Sequence, residues 1–236
     1  MDSVPVVTQP NHRAIAPAWH TGVLLVLLLG FSFASARAGN VSPVGSHHGR
    51  VASYLVVMAF EWVMVAFIWF GMKRYGLGLR DLIGGSWMGL ATVFRDLAIA
   101  VGFLLIALIM LNLLGSFLNA VPNQALYNLL PQSSIEVAVY LILTLTAGFC
   151  EETIFRGYLQ RQFTALARAG AGGIVLQGIV FGMVHGYQGW RFVVLISFFG
   201  MLFGLLARWR RSLRPGMIAH FLQDGIGGLL ARHFLR

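Results

Sequence analysis

The chain has 236 residues, of which 58% are hydrophobic and 11% charged, and its mean hydropathy is +0.76. A soluble globular domain is about 45–50% apolar and about 25% charged, so the composition excludes an ordinary soluble protein. The formal net charge is +9, but the basic residues lie between apolar runs, as the positive-inside rule predicts, and we expect no binding to nucleic acid. The single cysteine, Cys150, excludes an intrachain disulfide and a cysteine-based zinc site.

Seven apolar runs follow a polar segment, 1–18, that we predict to be a disordered tail. The runs cover about 19–36, 51–71, 97–118, a stretch that begins near 135, and then 173–188, 192–207 and 215–234. A membrane-spanning helix takes about 20 residues, so the sequence predicts an all-α polytopic membrane helix bundle of about seven spans, within a range of six to eight. The first run resembles a signal peptide in its small-residue end, Ala34-Ser35-Ala36, but its long and weakly charged leader favours a retained span.

The basic residues also predict the orientation of the bundle. The connection 119–134 carries no Lys or Arg, whereas four arginines cluster within 208–214. If 119–134 lies outside, most of the Lys and Arg residues fall on the inner side, so we expect a cytoplasmic N-terminus. Basic inner loops and short connections are compatible with a bacterial plasma membrane.

Ionisable residues inside the apolar runs are candidates for function, because a charge near the bilayer centre costs about 2.5–3.5 kcal/mol. Glu152 and Arg156 are four residues apart, so a helix places them on one face as an ion pair. Glu151 is rotated by about 100° and lacks that partner, which suits a general base. The alternative interpretation is a helix that ends here in solvated charges.

Two further groups of polar residues follow in the later runs. His185 lies one turn after Phe181, and a histidine of this kind can also be an ordinary core residue. His220 and Asp224 share one helix face, where the carboxylate can orient the imidazole or both can face one ligand. Ordinary helix packing does not readily explain why all three polar groups occur together in successive apolar runs.

This combination resembles the CPBP family of intramembrane proteases, also called the CAAX-protease and bacteriocin-processing, or Abi, family. The three motifs of that family, EExxxR, FxxxH and HxxxN/D, occur here in order as Glu151-Glu152-x-x-x-Arg156, Phe181-x-x-x-His185 and His220-x-x-x-Asp224. The resemblance covers about residues 134–232. It divides the chain into the tail 1–18, N-terminal transmembrane helices over 19–133, and a catalytic transmembrane core over 134–236.

The resemblance implies an intramembrane endopeptidase that acts at the bilayer on a membrane-associated peptide or protein. Glu151 would activate the attacking water, His185 would help to bind or polarise it, and His220 with Asp224 would stabilise the oxyanion. Glu152 and Arg156 would hold the site together, and Phe181 would pack beside it. An ionised Asp224 cannot donate a hydrogen bond, so it must be protonated, orient His220 or bind a metal.

The family is described both as metalloproteases and as metal-free glutamate proteases. A divalent metal such as zinc could take its ligands from the set Glu151, His185, His220 and Asp224. The absence of an H-E-x-x-H motif favours the metal-free interpretation. The sequence suggests no role for Glu61 or Glu136.

Two other functions use the same residues. A proton-coupled transporter or channel could use the buried Glu and His side chains as a relay, and a non-catalytic member could serve as a membrane scaffold. For the peptidase, Glu151, His185 and His220 must converge on one cavity. That requires the fourth helix to run from about 135 to 167, which the absence of proline between 132 and 214 allows.

Overall fold

The computed structural model describes residues 13–41, 47–85, 89–122 and 127–234. Across these ranges it contains helices and connections without a strand, which confirms the all-α fold. The helices are α1 (Ala18–Val41), α2 (His47–Lys73), α3 (Leu79–Ile83), α4 (Leu90–Leu118), α5 (Ser134–Glu151), α6 (Gln160–Ala167), α7 (Gly170–Met183), α8 (Trp190–Arg210) and α9 (Arg214–Phe234). A π-helical segment, Glu152–Leu159, joins α5 to α6, and a short 3₁₀ turn, Gly186–Gln188, follows α7.

Five stretches of helix are long and apolar enough to cross a membrane. They are Ala18–Arg37, Gly49–Lys73, Leu90–Leu118, Ser134–Ala167 and Trp190–Arg210. The other two predicted runs also form helices, but α7 is a shorter apolar helix of 14 residues, and α9 is interrupted by polar residues. The membrane helix bundle is therefore confirmed, with five helices of full spanning character among the described residues rather than seven.

Most of the predicted tail, residues 1–12, lies outside the described part of the chain. The described end of that tail packs against the core. Ile15 and Ala16 are buried, and their backbone N–H groups donate to the side-chain oxygen of Gln162 at 2.7 and 3.3 Å. Ile15 and Ala16 are therefore held in place by a residue that is distant in sequence.

The fourth run forms one continuous helical stretch of 34 residues, Ser134–Ala167, as the geometry of the predicted site required. It begins at a capping box in which the Glu136 N–H donates to Ser133 Oγ at 3.2 Å, while the Ser133 N–H donates to Glu136 Oε2 at 3.2 Å. The π-helical segment lies in the middle of this stretch and contains Glu152 and Arg156. Such segments are rare and frequently occur at functional sites.

Close contact between α5 and α9 depends on Gly148. A Cβ atom at this position would lie 2.9 Å from the Met217 carbonyl oxygen and 3.2 Å from the Phe221 backbone nitrogen. Glycine therefore lets the two backbones approach each other one turn before Glu151 and beside His220. This approach brings the first and third motifs together.

The N-terminal helices pack directly on this C-terminal core. Helix α2 lies along α5, where the Trp62 and Phe149 rings stack with centroids 5.5 Å apart. Helix α1 is attached through His20, whose Nδ1 lies 2.8 Å from the Tyr158 hydroxyl. Side chains of α2 therefore reach the region of the candidate site.

Candidate active site

The base of the site is a buried ion pair between Glu152 and Arg156. Arg156 Nη1 lies 2.9 Å from Glu152 Oε1, and both side chains are fully buried. The guanidinium is also enclosed by aromatic rings, 4.2 Å from the centroid of Phe181 and 4.9 Å from that of Phe203. Cation–π contacts of this kind stabilise a desolvated cation. The predicted pair is therefore present and has a surrounding structure that tolerates its burial.

His220 connects three carboxyl groups above this pair. Its Nδ1 lies 3.1 Å from Glu152 Oε1. Its Nε2 lies 3.6 Å from Glu151 Oε2 and 3.4 Å from Asp224 Oδ2. A doubly protonated imidazole ring would donate toward carboxylates on both sides. The first and third motifs thus form one cluster around the His220 ring, as the sequence predicts.

Exposure increases from one side of this cluster to the other. The Glu152 side chain is 0% exposed and that of His220 is 7% exposed, whereas Glu151 reaches 18% and Asp224 reaches 40%. The two glutamates of the first motif therefore have different environments, with Glu152 inside and Glu151 toward the accessible side. Glu152 is thus enclosed with Arg156, while Glu151 has access to the outside of the cluster.

His185 occupies a different kind of position from the one predicted. Hydropathy predicts an apolar helix that runs to about 188 and contains His185, but α7 ends at Met183 and His185 precedes the 3₁₀ turn. Its Nδ1 lies 2.8 Å from the Phe181 carbonyl oxygen. The turn that follows the helix closes at Gly189, whose φ of 95° suits glycine.

Phe181 links His185 to the rest of the cluster. The Phe181 ring centroid lies 4.9 Å from that of His185 and 6.1 Å from that of His220. Within the described residues, no hydrogen bond or ion pair joins His185 directly to Glu151 or His220. The second motif therefore lies next to the first and third through an aromatic contact, with His185 at the half-buried rim.

Tyr187 lies near the site, although no motif or charge in the sequence marks it. Its ring centroid lies 6.2 Å from that of His185. Burial raises the pKa of Tyr187 to about 12, and the negative charges of Glu151 and Asp224 act in the same direction. The phenol therefore stays protonated at neutral pH as a potential hydrogen-bond donor. Its only sequence signal is its place two residues after His185.

Glu61 is the second group near the site to which the sequence assigned no role. It lies on α2 and is 6% exposed. Its carboxyl group lies close enough to Glu151, His220 and Asp224 to interact electrostatically with each of them. The signal in the sequence was a lone carboxylate within an apolar run, but nothing there shows that α2 packs on α5.

The candidate metal ligands do not form a ready coordination set. The described residues contain no group of three or more His, Cys, Asp or Glu side chains that could hold a metal ion. His220 directs both ring nitrogens at carboxylate oxygens, and His185 Nδ1 faces a backbone carbonyl. This arrangement of the described residues does not fit a bound cation.

Comparison with known proteins agrees with the motifs. Residues 132–226 match the model of a family described as Rce1-like, type II CAAX prenyl endopeptidase. The matched segment contains all three motifs and the whole cluster around His220. No match was found among curated proteins or among solved structures. Residues 132–226 are thus similar to the Rce1-like family, and the five membrane-length helices are those of an integral membrane protein.

Proposed function

We propose that the protein is an intramembrane endopeptidase in which Glu151 activates water to hydrolyse a peptide bond of a membrane-anchored peptide or protein. One observation carries this proposal. A partly accessible carboxylate, Glu151, lies beside the His220 ring, directly above a fully buried Glu152–Arg156 pair. A general base needs both access to water and a fixed position, and this arrangement provides both.

The proposed reaction begins with transfer of a water proton to Glu151 as the water oxygen bonds to the substrate carbonyl carbon. The His220 ring, held at Nδ1 by Glu152 at 3.1 Å, then donates from Nε2 to the oxyanion of the tetrahedral intermediate. Breakage of the C–N bond follows when Glu151 returns the proton to the leaving nitrogen. The buried pair serves to fix the donor in place before the reaction starts.

Asp224 and His185 have supporting roles in this proposal. Asp224 Oδ2 lies 3.4 Å from His220 Nε2, so we assign it to orient that ring rather than to donate to the oxyanion. His185 lies at the rim beside Phe181, where it can help to bind or polarise the attacking water. Tyr187, protonated next to it, adds a donor on the same side.

The proposed substrate and setting follow from the family and the distribution of charge. The matching family is described as CAAX prenyl endopeptidases, so we propose a substrate that carries a lipid anchor and reaches the site from the bilayer. We propose a cytoplasmic N-terminus and a bacterial plasma membrane from the basic inner loops.

The direct test is peptide cleavage by the purified protein in lipid nanodiscs. The probe is a farnesylated peptide ending in a CaaX sequence, and the same peptide without the lipid serves as a control. We expect cleavage of the lipidated peptide by wild type, a loss of about 10²-fold or more for Glu151→Gln, and unchanged cleavage for Asp81→Asn, an exposed carboxylate. We also expect activity to survive treatment with a chelator. Equal cleavage by wild type and Glu151→Gln would overturn the role of Glu151.

A further inference from the structure

The buried carboxyl group of Glu61 lies outside the segment that matches the family, yet it faces the candidate site. Glu61 is 6% exposed in the middle of α2, and α2 packs along α5. Its Oε2 atom is buried without a hydrogen-bond partner. Burial of a charge with no partner is strongly unfavourable, so a group in this position is expected to be neutral or to share a proton.

Glu151 also has a buried carboxylate oxygen with no hydrogen-bond partner. This oxygen, Oε2, lies 3.6 Å from His220 Nε2. The Glu61 and Glu151 carboxyl groups lie close enough to interact electrostatically with each other. Two buried carboxylates that adjoin each other repel when both are ionised, and one shared proton satisfies an oxygen on each.

The neighbouring cationic groups, Arg156 and His220, do not remove the need for a proton. Arg156 is committed to Glu152 at 2.9 Å. His220 makes its shortest carboxylate contact with Glu152, at 3.1 Å, and lies next to Asp224 at 3.4 Å. Three carboxyl groups, those of Glu151, Glu152 and Asp224, thus compete for one imidazole ring. Among the described residues no cation contacts the fourth carboxyl group, that of Glu61.

We propose that Glu61 is a positioning residue for Glu151, and that the two carboxyl groups form a dyad that holds a single proton. This inference rests on the proposed function of Glu151. In the resting state Glu61 keeps the proton and donates a hydrogen bond to the buried oxygen of Glu151. The Glu151 carboxylate therefore stays ionised, with its other oxygen directed to the accessible side. The N-terminal half of the chain would then contribute directly to the reactive group.

The proton count of the dyad balances through one turnover. Glu151 gains a proton from water as the water oxygen bonds to the carbonyl carbon, so the dyad briefly holds two protons. One of them passes to the leaving nitrogen as the C–N bond breaks, and the dyad again holds one. The new carboxylic acid then releases its own proton to solvent.

Infrared spectroscopy of the protein in nanodiscs tests the dyad without any substrate. We expect wild type at neutral pH to show the carbonyl stretch of a protonated carboxylic acid, and this band to be lost in Glu61→Gln. Glu61→Asp keeps a carboxyl group and should retain the band, as should the exposed-carboxylate control Asp81→Asn. Absence of the band in wild type, or an unchanged band in Glu61→Gln, would overturn the proposal.

The kcat and KM of peptide cleavage provide a second test, because a merely structural role of Glu61 would leave them nearly unchanged. In Glu61→Gln the glutamine retains the side-chain volume and a hydrogen-bond donor, so a structural role of Glu61 predicts little change in kcat. A dyad predicts that kcat falls by about 10²-fold, at the lower end of what acid–base catalysis supplies, with KM nearly unchanged. An unchanged kcat in a folded Glu61→Gln protein would contradict it.

The pH dependence of cleavage separates the dyad from other ionisable groups. The groups that act on Glu61 are Glu151, His220 and Asp224, and Cys150 also lies nearby. Wild type needs the shared proton, so its rate should fall at alkaline pH. Because His220 must also stay protonated to donate to the oxyanion, Glu61→Gln should shift the midpoint of this decline, while Glu61→Asp should retain the wild-type profile. Persistence of the same decline in Glu61→Gln would count against the dyad. Wild type that cleaves no peptide but shows the infrared band would instead refute the proposed function alone.

Discussion

At the scale of single residues, the buried pair Glu152–Arg156 is the feature on which the site depends for stability. Removal of one partner from such a pair leaves an uncompensated charge and costs about 3–5 kcal/mol. We therefore expect Arg156→Ala to lower the thermal unfolding temperature of the protein in detergent sharply. Arg80→Ala removes the same charge from an exposed position and should change stability by less than about 0.5 kcal/mol. Equal effects of the two substitutions would contradict the importance of the pair.

The sequence revealed most residues of the site because a charge in an apolar run is costly and therefore rare. Glu151, Glu152, Arg156, His220 and Asp224 were found on this basis, and the structure places them in one cluster. Tyr187 could not be found in this way, because a tyrosine in a polar turn carries no such cost. Its relation to the site depends on how the chain turns after α7.

At the scale of helices, the contact between α5 and α9 depends on the absence of a side chain at Gly148. We expect Gly148→Ala to destabilise the protein by about 1–3 kcal/mol, because the added methyl group would meet the backbone of α9. It should also reduce activity, since it moves His220 away from Glu151. Gly30→Ala is the matched control, because a Cβ atom there meets nothing within 4 Å, and alanine favours a helix over glycine by up to about 1 kcal/mol. A Gly148→Ala protein as stable and active as wild type would refute this role.

The helices themselves were predictable to different degrees. The long stretch Ser134–Ala167 followed from hydropathy, the lack of proline and the need for the motifs to meet. The π-helical segment Glu152–Leu159 did not, because no residue pattern distinguishes one wider turn from the α-helix around it. The early end of α7 was missed because apolar residues continue up to Val184, and hydropathy does not register the turn that follows.

At the scale of the whole molecule, the two halves of the chain are joined at the site. Sequence patterns identified residues 134–236 through their motifs but described 19–133 only as apolar runs. The structure places α2 against α5, which brings Glu61 next to Glu151. Contacts between helices so distant in sequence cannot be predicted from periodicity, because every lipid-facing and core-facing side of these helices is similarly apolar.

The central claim is that Glu151 drives hydrolysis of a membrane-associated peptide or protein. The most direct measurement compares new peptide termini in the membrane fractions of cells that express wild type, Glu151→Gln or the exposed-carboxylate control Asp81→Asn at equal levels. We expect a common set of new termini with wild type and Asp81→Asn that is absent with Glu151→Gln, and those termini would also name the substrate. Identical termini in all three membranes, in cells of the natural host, would contradict the proposed peptidase and favour a transport or scaffold role.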